Sequence, residues 1–233
     1  MPQVFTFEQG EEEWRAARLG IPTASRFADI LAKGQGKTRQ RYLYDLAGER
    51  IRGEAAEGYT NGHMERGKTQ EDDARRLYAF LNDVEPEQVG FIRNGNVGGS
   101  PDSLIGDKGG LEIKSALPHI QIERLLAGRL PPEHKAQVQG NLWVSEREWW
   151  DFMSYCPKMK PLIVRVTRDD DYIRDLERAV ADFSSELHDL VERLTNGSDH
   201  LREALKSSIH MAGRSWRRPS SSTALRSAIW RSS

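Results

Sequence analysis

The spacing of apolar residues predicts helices in the first third of the 233-residue chain. Residues 8–19 and 24–32 each predict a short helix with apolar positions among charged ones. Pro22 stops the first helix because proline lacks an amide hydrogen, and either Thr23 or Ser25 can cap the second. We therefore expect a helix, a tight break and a second helix before residue 33.

Two longer helices are predicted over residues 37–52 and 64–81, where apolar residues recur three and four positions apart. Most carboxylates on the second of these helices are expected to be solvated. The residues expected to face the core are Tyr42, Leu43, Leu46, Ile51, Met64, Ala74, Leu77, Tyr78 and Leu81.

The middle of the chain has patterns typical of strands. Residues 89–93 predict a strand that leads into a hairpin over residues 98–114. The hairpin turn is placed at residues 107–110, Asp-Lys-Gly-Gly, because glycine readily adopts the positive φ that tight hairpin turns need. Residues 149–156 and 162–168 predict two further strands that lie side by side in a sheet.

The last third of the chain returns to helical patterns. A helix is predicted over residues 133–146, after two prolines, and an amphipathic helix over residues 175–194. A separate short helix over residues 200–209 is expected after a break at Asn196-Gly197. This order of elements predicts a mixed α/β (α+β) fold with a central mixed sheet flanked by helices.

Composition limits the class of protein. A chain of this length with 37% hydrophobic residues is expected to form one packed domain over residues 1–209. Its single cysteine, Cys156, excludes an internal disulfide and is expected to be a buried thiol. Residues 210–233 are rich in Ser and Arg and are expected to be disordered. No segment approaches ~18 consecutive apolar residues and no leader pattern begins the chain, so a cytoplasmic location is expected.

The net charge of −1 conceals an uneven distribution of charge. Residues 210–233 contain five arginines and no acid, which leaves 29 basic and 35 acidic residues in the rest of the chain. A nucleic-acid binder with this balance needs its basic groups concentrated in a channel. Net charge alone therefore neither supports nor excludes a nucleic-acid partner.

Three charged residues of the predicted hairpin are candidates for a metal site. Glu112 and Lys114 are two positions apart and project from one face of a strand, while Ile113 projects from the other. Asp102 can lie across from the charged face. Two carboxylates beside an ammonium suit a Mg²⁺ site with a group that handles a nucleophilic water. The solvated edge of a hairpin carries the same kinds of charge, and this pattern alone does not decide between the two.

Two other patterns, a glycine-rich loop and the histidines, do not predict a nucleotide site or a zinc site. GQGKT at residues 34–38 resembles the end of a phosphate-binding loop, but Leu31 stands where that motif has a glycine, and a helix precedes it instead of a strand. We predict no nucleotide hydrolysis. The six histidines show no metal-ligand spacing, so we predict no zinc site.

Six short blocks lie in order between residues 11 and 168. Together they resemble the PD-(D/E)XK nuclease superfamily and, within it, the phage lambda exonuclease family of YqaJ-like viral recombination alkaline exonucleases. Six blocks in this order are far more specific than any one of them. They are WRAARLG at 14–20, TAS at 23–25, GKTQEDDAR at 67–75, SPD at 100–102, EIK at 112–114 and AQVQGNLWV at 136–144.

The resemblance implies an activity and a set of partners. It implies a restriction-endonuclease-like core at residues 60–168, two Mg²⁺ ions (Mn²⁺ can substitute), and processive 5′→3′ degradation of one strand of linear double-stranded DNA. It also implies a homotrimeric ring around the duplex and a single-strand annealing recombinase as partner. The implied setting is homologous recombination of a phage or prophage in the cytosol of a bacterial host.

The resemblance also assigns metal ligands. Asp102 and Glu112 correspond to the shared metal ligands, with the Ile113 carbonyl as a further backbone ligand. Glu71 is similar to the helical carboxylate on the second metal ion. Three acids with waters and phosphate oxygens satisfy Mg²⁺ without histidine or cysteine.

Two further residues take catalytic roles by the same resemblance. Lys114 resembles the lysine that positions and activates the attacking water, and Gln137 resembles its neighbour on the active-site helix. Two metal ions beside Lys114 are expected to lower its pKa, which favours proton transfer from water.

Residues nearer the N terminus resemble those that hold the DNA end. Arg18 and Ser25 resemble the pair that binds the 5′-terminal phosphate, for which a planar guanidinium is well suited. Trp14 lies one helical turn before Arg18 and is expected to stack on terminal bases. Met64 resembles the wedge that splits the end base pair, and the basic loop ending at Lys37 fits a contact with the duplex. Core packing is the alternative role for Trp14 and Met64.

Two other functions fit the same residues less well. One is a restriction-type or repair-type endonuclease of the same superfamily. The other is a non-enzymatic protein that binds DNA ends through a charged hairpin. Cleavage of a covalently closed circle distinguishes the first from an exonuclease, and binding without degradation distinguishes the second.

Overall fold

A computed structural model of the chain describes the backbone of residues 1–32, 37–55 and 62–215, and the side chains of residues 1–32, 37–55 and 70–196. The chain divides into two compact units, Met1–Val191 and Glu192–Ser233. The first unit contains the sheets and the helices packed on them, and it ends before the predicted domain end at residue 209.

Strands occupy the middle of the first unit. In chain order they are β1 (Gln3–Phe5), β2 (Pro86–Glu87), β3 (Phe91–Asn94), β4 (Val97–Gly99), β5 (Ser103–Ile105), β6 (Gly109–Ser115), β7 (Trp149–Tyr155) and β8 (Leu162–Thr167). A mixed sheet has the order β2-β5-β6-β7-β8, in which β6 and β7 are parallel and the other neighbours are antiparallel. A smaller antiparallel sheet has the order β1-β3-β4.

Helices flank the mixed sheet, so the predicted mixed α/β fold is confirmed. They are α1 (Glu12–Arg18), α2 (Phe27–Leu31), α3 (Lys37–Arg52), α4 (Gly62–Asn82), α5 (Pro118–Ala127), α6 (Lys135–Ser145) and α7 (Asp170–Ser215), with 3-10 turns at Ala24–Arg26 and Pro132–His134. Among the described residues, no helix is apolar over enough of its length to cross a membrane.

Two hydrophobic clusters cover the two faces of the mixed sheet. On one face, Ala74 and Tyr78 of α4 pack on Leu111 and Ile113 of β6 and on Met153 of β7. The larger cluster joins the other face to α3, α6 and α7 and contains Leu43, Leu142, Trp150, Phe152 and Phe183, among others. Because successive strand residues face opposite ways, β6 presents apolar residues to α4 and its charged residues to α6.

Three details of the predicted helices are wrong. Ile51 and Leu81 were expected in the core and are exposed, because each lies in the last turn of its helix. The first helix begins at Glu12, four residues later than predicted. Thr23 occupies the N-cap position of the Ala24–Arg26 turn without a side-chain cap bond, and its N–H instead donates to the Tyr42 hydroxyl at 3.0 Å.

The hairpin forms as β5 and β6, but its glycines act differently from the prediction. The turn lies at residues 106–108, and Gly106 has the positive φ, at 50°. Gly109 and Gly110 lie inside β6 opposite Trp149 and Trp150 of β7. A Cβ on Gly109 would lie 2.2 Å from Trp149 Cζ2, and a Cβ on Gly110 would lie 2.3 Å from Trp150 Cζ3. These two glycines are therefore required by the packing of tryptophans and not by the turn.

The C-terminal part differs from the prediction at two places. Asn196-Gly197 does not interrupt α7, which is continuous to Ser215, so residues 210–215 are helical as well. The rest of the Ser- and Arg-rich tail lies outside the described residues. Cys156, one residue after β7, is a free and buried thiol as predicted.

Candidate active site

Glu112 is the most enclosed carboxylate of the hairpin, with 1% of its surface exposed. Its Oε1 lies 2.5 Å from the Lys114 ammonium and accepts a hydrogen bond from Gln137 Nε2 at 2.6 Å. Its Oε2 accepts a hydrogen bond from Asn141 Nδ2 at 3.1 Å. The structure therefore brings together Glu112, Lys114 and Gln137, and adds Asn141, which the sequence did not single out.

The spacing along α6 explains why two amides reach one carboxylate. Gln137 and Asn141 are four residues apart and therefore lie on one face of the helix. From that face both amides reach Glu112 of β6. Gly140 of the same helix allows close packing against α2, since a Cβ there would lie 2.5 Å from Phe27. The signal was present in the sequence as two amides at i and i+4 inside an apolar helix.

Asp102 lies immediately before β5 and faces the next strand. Its Oδ2 accepts a hydrogen bond from the Ile113 N–H at 2.5 Å. Burial raises the pKa of Asp102 well above its ordinary value, and the charges of Glu112 and Glu71 raise it further, against the opposing effects of Lys114 and the Ile113 N–H. The three predicted carboxylates therefore lie close enough to repel one another.

Lys114 supplies the positive charge among these carboxylates. Burial by itself lowers the pKa of Lys114, but Glu112, Asp102 and Glu71 together raise it above its ordinary value. The side chain is therefore a protonated ammonium when only protein groups surround it. The expectation of a lowered pKa applies to a site with two bound cations.

Glu71 is held by an arginine that the sequence reasoning missed. Arg75, one turn further along α4, forms ion pairs with Glu71 and, at 2.6 Å, with Asp72. Its Nε donates to Ser103 Oγ at 3.0 Å, and its Nη2 donates to the Asp102 carbonyl at 3.4 Å. Burial raises the pKa of Glu71, and the charge of Arg75 opposes that rise. An acid and an arginine at i and i+4 on a predicted helix were the available signal.

Replacing Arg75 with Met is expected to destabilise the protein by about 3 kcal/mol, because it leaves Glu71 and Ser103 without their buried partner. The corresponding fall in Tm, measured by calorimetry, is about 6–12 °C for a chain of this size. Arg76→Met is the matched control, since the Arg76 side chain is 74% exposed and forms an ion pair with the exposed Asp73. Equal Tm values for the two variants would contradict the role of Arg75.

The side chains of this site offer the oxygen atoms that Mg²⁺ prefers, although not all in their present positions. Asp102 and Glu112 supply carboxylate oxygens beside one ammonium, which offsets part of their charge. Among the described side chains, no three His, Cys, Asp or Glu residues are gathered at metal-binding distance. Glu71 is drawn to Arg75, and it must leave that ion pair to serve as a third ligand.

The predicted DNA-end residues form a second group on the N-terminal helices. Trp14 Nε1 donates to Ser100 Oγ at 2.9 Å, two residues before Asp102. The Arg18 guanidinium lies over the Trp14 ring, 4.0 Å from its centroid. Arg18 therefore covers one face of the indole, which the sequence reasoning had expected to be free for a base.

Ser25 is exposed and is followed in the chain by Arg26, which was not predicted as a site residue. The Ser25 Oγ lies 3.4 Å from the Thr23 hydroxyl. Arg26 lies over the Tyr42 ring at 4.4 Å. Burial raises the pKa of Tyr42, and the charges of Arg26 and Arg18 oppose that rise, so both arginines lie near the phenol.

A short parallel bridge connects the two groups of residues. The Gly98 N–H donates to the Pro22 carbonyl at 3.0 Å, and Thr23 pairs with Gly98. The Thr-Ala-Ser block is thereby fixed beside β4, which leads directly to Asp102. The bridge thus joins the cationic N-terminal group to the strand that leads into the acidic hairpin.

Two predicted DNA contacts, Met64 and the loop ending at Lys37, stay predictions. The side chain of Met64 and residues 33–36 lie outside the described residues. Lys37 begins α3 and is exposed.

This fold and this arrangement of Asp102 with Glu112-x-Lys114 define a protein of the PD-(D/E)XK nuclease-like class. The chain belongs to the family of the YqaJ-like viral recombinase domain, whose sequence profile matches residues 13–148. No curated protein sequence matches the chain.

Solved structures agree with the family. The alkaline exonuclease LHK-Exo from Laribacter hongkongensis is 34% identical, with a TM-score of 0.76 over 82% of this chain and 100% of that one. The same enzyme in complex with dAMP is 35% identical, with a TM-score of 0.77 and the same coverage. A phage-related exonuclease from Haemophilus somnus 129PT, 15% identical, shares the fold with a TM-score of 0.57 over 75% of this chain and 96% of that one.

Proposed function

We propose that the protein is a metal-dependent exonuclease that degrades one strand of linear double-stranded DNA, 5′→3′, from 5′-phosphorylated ends. The observation that carries the proposal is the connection between the Asp102, Glu112 and Lys114 cluster and the Arg18 and Ser25 group through the Gly98 bridge. Family membership and the likeness to an alkaline exonuclease support it. The 3′ single strand left behind is the substrate for phage-type homologous recombination.

Mg²⁺ is the proposed cofactor, as two ions, and Mn²⁺ is the proposed substitute. Asp102, Glu112 and the Ile113 carbonyl would hold the ions, with Glu71 on the second. Bound Mg²⁺ supplies positive charge for the phosphate, a more acidic water and a stabilised leaving oxygen.

The side chains around these ligands have separate proposed tasks. Gln137 and Asn141 keep the Glu112 carboxylate in one orientation, since each donates to a different oxygen. Lys114 lies at hydrogen-bond distance from the same carboxylate. Its proposed task is to orient the attacking water and to accept or return its proton. Arg75 keeps α4 beside the hairpin.

The proposed 5′-end pocket contains Arg18, Ser25 and Arg26. Burial lowers the pKa of Arg18, although its guanidinium stays charged at any physiological pH. A half-buried guanidinium next to a second one suits a dianionic terminal phosphate better than the single charge of an internal phosphodiester. Trp14 is proposed to hold the Arg18 guanidinium against its ring in the absence of DNA. It is proposed to stack on a terminal base once Arg18 has moved to the phosphate.

Replacing Arg18 with Ala is expected to reduce the preference for 5′-phosphorylated over 5′-hydroxyl ends by about tenfold, since one charge-assisted contact is lost. The ratio of initial digestion rates on the two ends measures this preference. Arg15→Ala is the control, because Arg15 is an exposed arginine on the same helix. An unchanged ratio in Arg18→Ala would remove the phosphate pocket from the proposal.

The ring and the partner are proposals as well. We propose a homotrimer that encloses the duplex, a single-strand annealing recombinase as partner, and a bacterial cytosol as the setting of this phage or prophage protein. A closed ring accounts for processivity because it cannot readily leave its track. Sedimentation of a monomer at working concentrations would contradict the ring.

One digestion experiment tests the activity. Linear duplex with 5′-phosphate ends, linear duplex with 5′-hydroxyl ends and covalently closed circular duplex are incubated with the protein and Mg²⁺. We expect digestion of the first, slower digestion of the second and none of the third. Cleavage of the closed circle would favour a restriction-type or repair-type endonuclease, and binding without digestion would favour a DNA-end-binding protein.

A further inference from the structure

Helix α5 is anchored to the end of β7 and to the β7–β8 loop by a buried glutamine. Gln121 Nε2 donates to the carbonyls of Lys160, at 2.8 Å, and Ser154, at 3.2 Å. Its Oε1 accepts a hydrogen bond from Ser154 Oγ at 2.7 Å. Since Ser154 lies near the carboxyl end of β7, α5 is held over that end of the sheet, where open α/β sheets commonly bind ligands.

Arg124, one turn along α5, extends the same network towards α6. Its Nη1 donates to Ser154 Oγ at 3.1 Å, and its Nη2 donates to His134 Nε2 at 3.0 Å. The His134 ring stacks on Phe152, with 4.9 Å between centroids. The Arg124 side chain is 14% exposed, so its guanidinium is directed and largely enclosed.

The strand register places this pair beside Lys114. In the parallel pairing of β6 and β7, Lys114 is opposite Ser154, and Glu112 is opposite Phe152. Side chains of paired residues project from the same face of the sheet. Lys114 therefore has carboxylates on one side and the Arg124–His134 pair on the other.

The electrostatic potential is positive on the side of Lys114 where Arg124 and His134 lie. Burial lowers the pKa of His134 to about 4, and the charges of Lys114 and Arg124 contribute to that fall against Glu133. His134 is therefore neutral at working pH and accepts the Arg124 hydrogen bond. The acidic partner of Arg124 is distant and exposed, since Glu133 Oε1 lies 3.7 Å away on a side chain that is 61% exposed.

We propose that Arg124, supported by His134 and Ser154, forms with Lys114 a subsite for an internal phosphate of the DNA strand. It is distinct from the proposed end pocket around Arg18, and this inference rests on the proposed DNA substrate. Because His134 and Ser154 are neutral, their hydrogen bonds do not offset the charge of the Arg124 guanidinium, which can therefore attract an anion. The nearby Lys114 ammonium adds to this attraction. The carboxylate side of Lys114 and this cationic side then hold successive parts of one strand.

The test is a phosphate map of binding, measured in EDTA so that no hydrolysis is needed. The probes are labelled linear duplexes with 5′-hydroxyl ends, each carrying one uncharged methylphosphonate at a successive position along one strand. Fluorescence anisotropy measures the Kd of each for the wild type, Arg124→Met and Arg18→Met. Arg129→Met is the matched control, because Arg129 is an exposed arginine just beyond the same helix.

We expect one internal position at which the methylphosphonate weakens wild-type binding by about tenfold. Arg124→Met should be insensitive at that position, and the slope of log K against log salt should fall by about 0.9. Arg18→Met and Arg129→Met should keep the wild-type sensitivity there. The same map for Arg124→Met as for the wild type would overturn the proposal.

Loss of folding in Arg124→Met, detected by its Tm, still leaves two decisive measurements. Arg124→Lys keeps the charge but not the two directed hydrogen bonds, so it should retain a reduced sensitivity at the same position. A wild-type map without any sensitive internal position overturns the subsite outright. The digestion experiment judges the activity separately. If one internal methylphosphonate weakens binding but the protein does not digest DNA, the subsite is supported and the exonuclease proposal is rejected.

Discussion

Lys114→Met is expected to slow digestion of linear duplex DNA by at least about 10³-fold, the upper part of the range for a positioned proton-transfer group. Binding of the duplex in EDTA should fall much less, because the Arg18 group is unchanged. Single-turnover digestion and anisotropy measure the two effects. Lys108→Met is the matched control, since Lys108 lies in the turn of the same hairpin and is exposed.

The stability of Lys114→Met separates a chemical role from a structural one. Without the ammonium, the buried Glu112 carboxylate loses its cationic partner, which costs about 3 kcal/mol. The double variant Lys114→Met/Glu112→Gln removes both charges and should recover most of that stability without recovering digestion. Restored digestion in the double variant, or wild-type rates in Lys114→Met, would refute the role of Lys114.

Asp102→Asn is expected to abolish digestion and yet to stabilise the protein in the absence of divalent metal. The asparagine oxygen can still accept the Ile113 N–H, while the negative charge beside Glu112 and Glu71 disappears. Digestion should fall by at least about 10³-fold, because the proposed shared metal ligand is lost. In EDTA its Tm should rise, and each 1 kcal/mol gained corresponds to about 2–4 °C.

The direction of the stability change follows from the pKa of Asp102. An acid whose pKa is raised by folding binds its proton more tightly in the folded state than in the unfolded state. Its contribution therefore lowers stability as pH rises above the ordinary value of 3.8, until the folded-state pKa is passed. The wild type should lose more stability than Asp102→Asn over this pH range when no divalent metal is present.

Mg²⁺ should reverse the order of the Tm values of the wild type and Asp102→Asn. It is expected to stabilise the wild type by binding the folded state and to have little effect on Asp102→Asn. Asp107→Asn, at an exposed position in the turn of the same hairpin, should follow the wild type in Tm, in pH dependence and in its response to Mg²⁺. A lower Tm for Asp102→Asn in EDTA, or equal stabilisation of both proteins by Mg²⁺, would contradict this account.

Local patterns were sufficient for most of the hairpin. The alternation along β6 correctly placed Glu112 and Lys114 on one face and Ile113 on the other. The position of the turn was nearly right, but the reason for its glycines was wrong. Gly109 and Gly110 are required by Trp149 and Trp150, about forty residues later in the chain, and no local pattern contains that contact.

Helix α5 shows why a sequence pattern can hide an element. Its buried residue is the polar Gln121, whereas Leu126 on the same helix is 83% exposed. Apolar periodicity therefore does not mark the face that packs on the sheet. The subsite around Arg124 depends on this helix and was not predicted for the same reason.

The amino-acid sequence by itself determined the family, the mixed α/β class and the residues Asp102, Glu112, Lys114 and Gln137 as a group. Ordered motifs and strand alternation carry that information because they depend on backbone geometry over a few residues. Only the tertiary structure decided that Arg75 holds Glu71, that Arg18 covers Trp14 and that Arg124 contacts Ser154, the strand partner of Lys114. Those contacts depend on the order and register of strands that are far apart in the chain, which local periodicity does not specify.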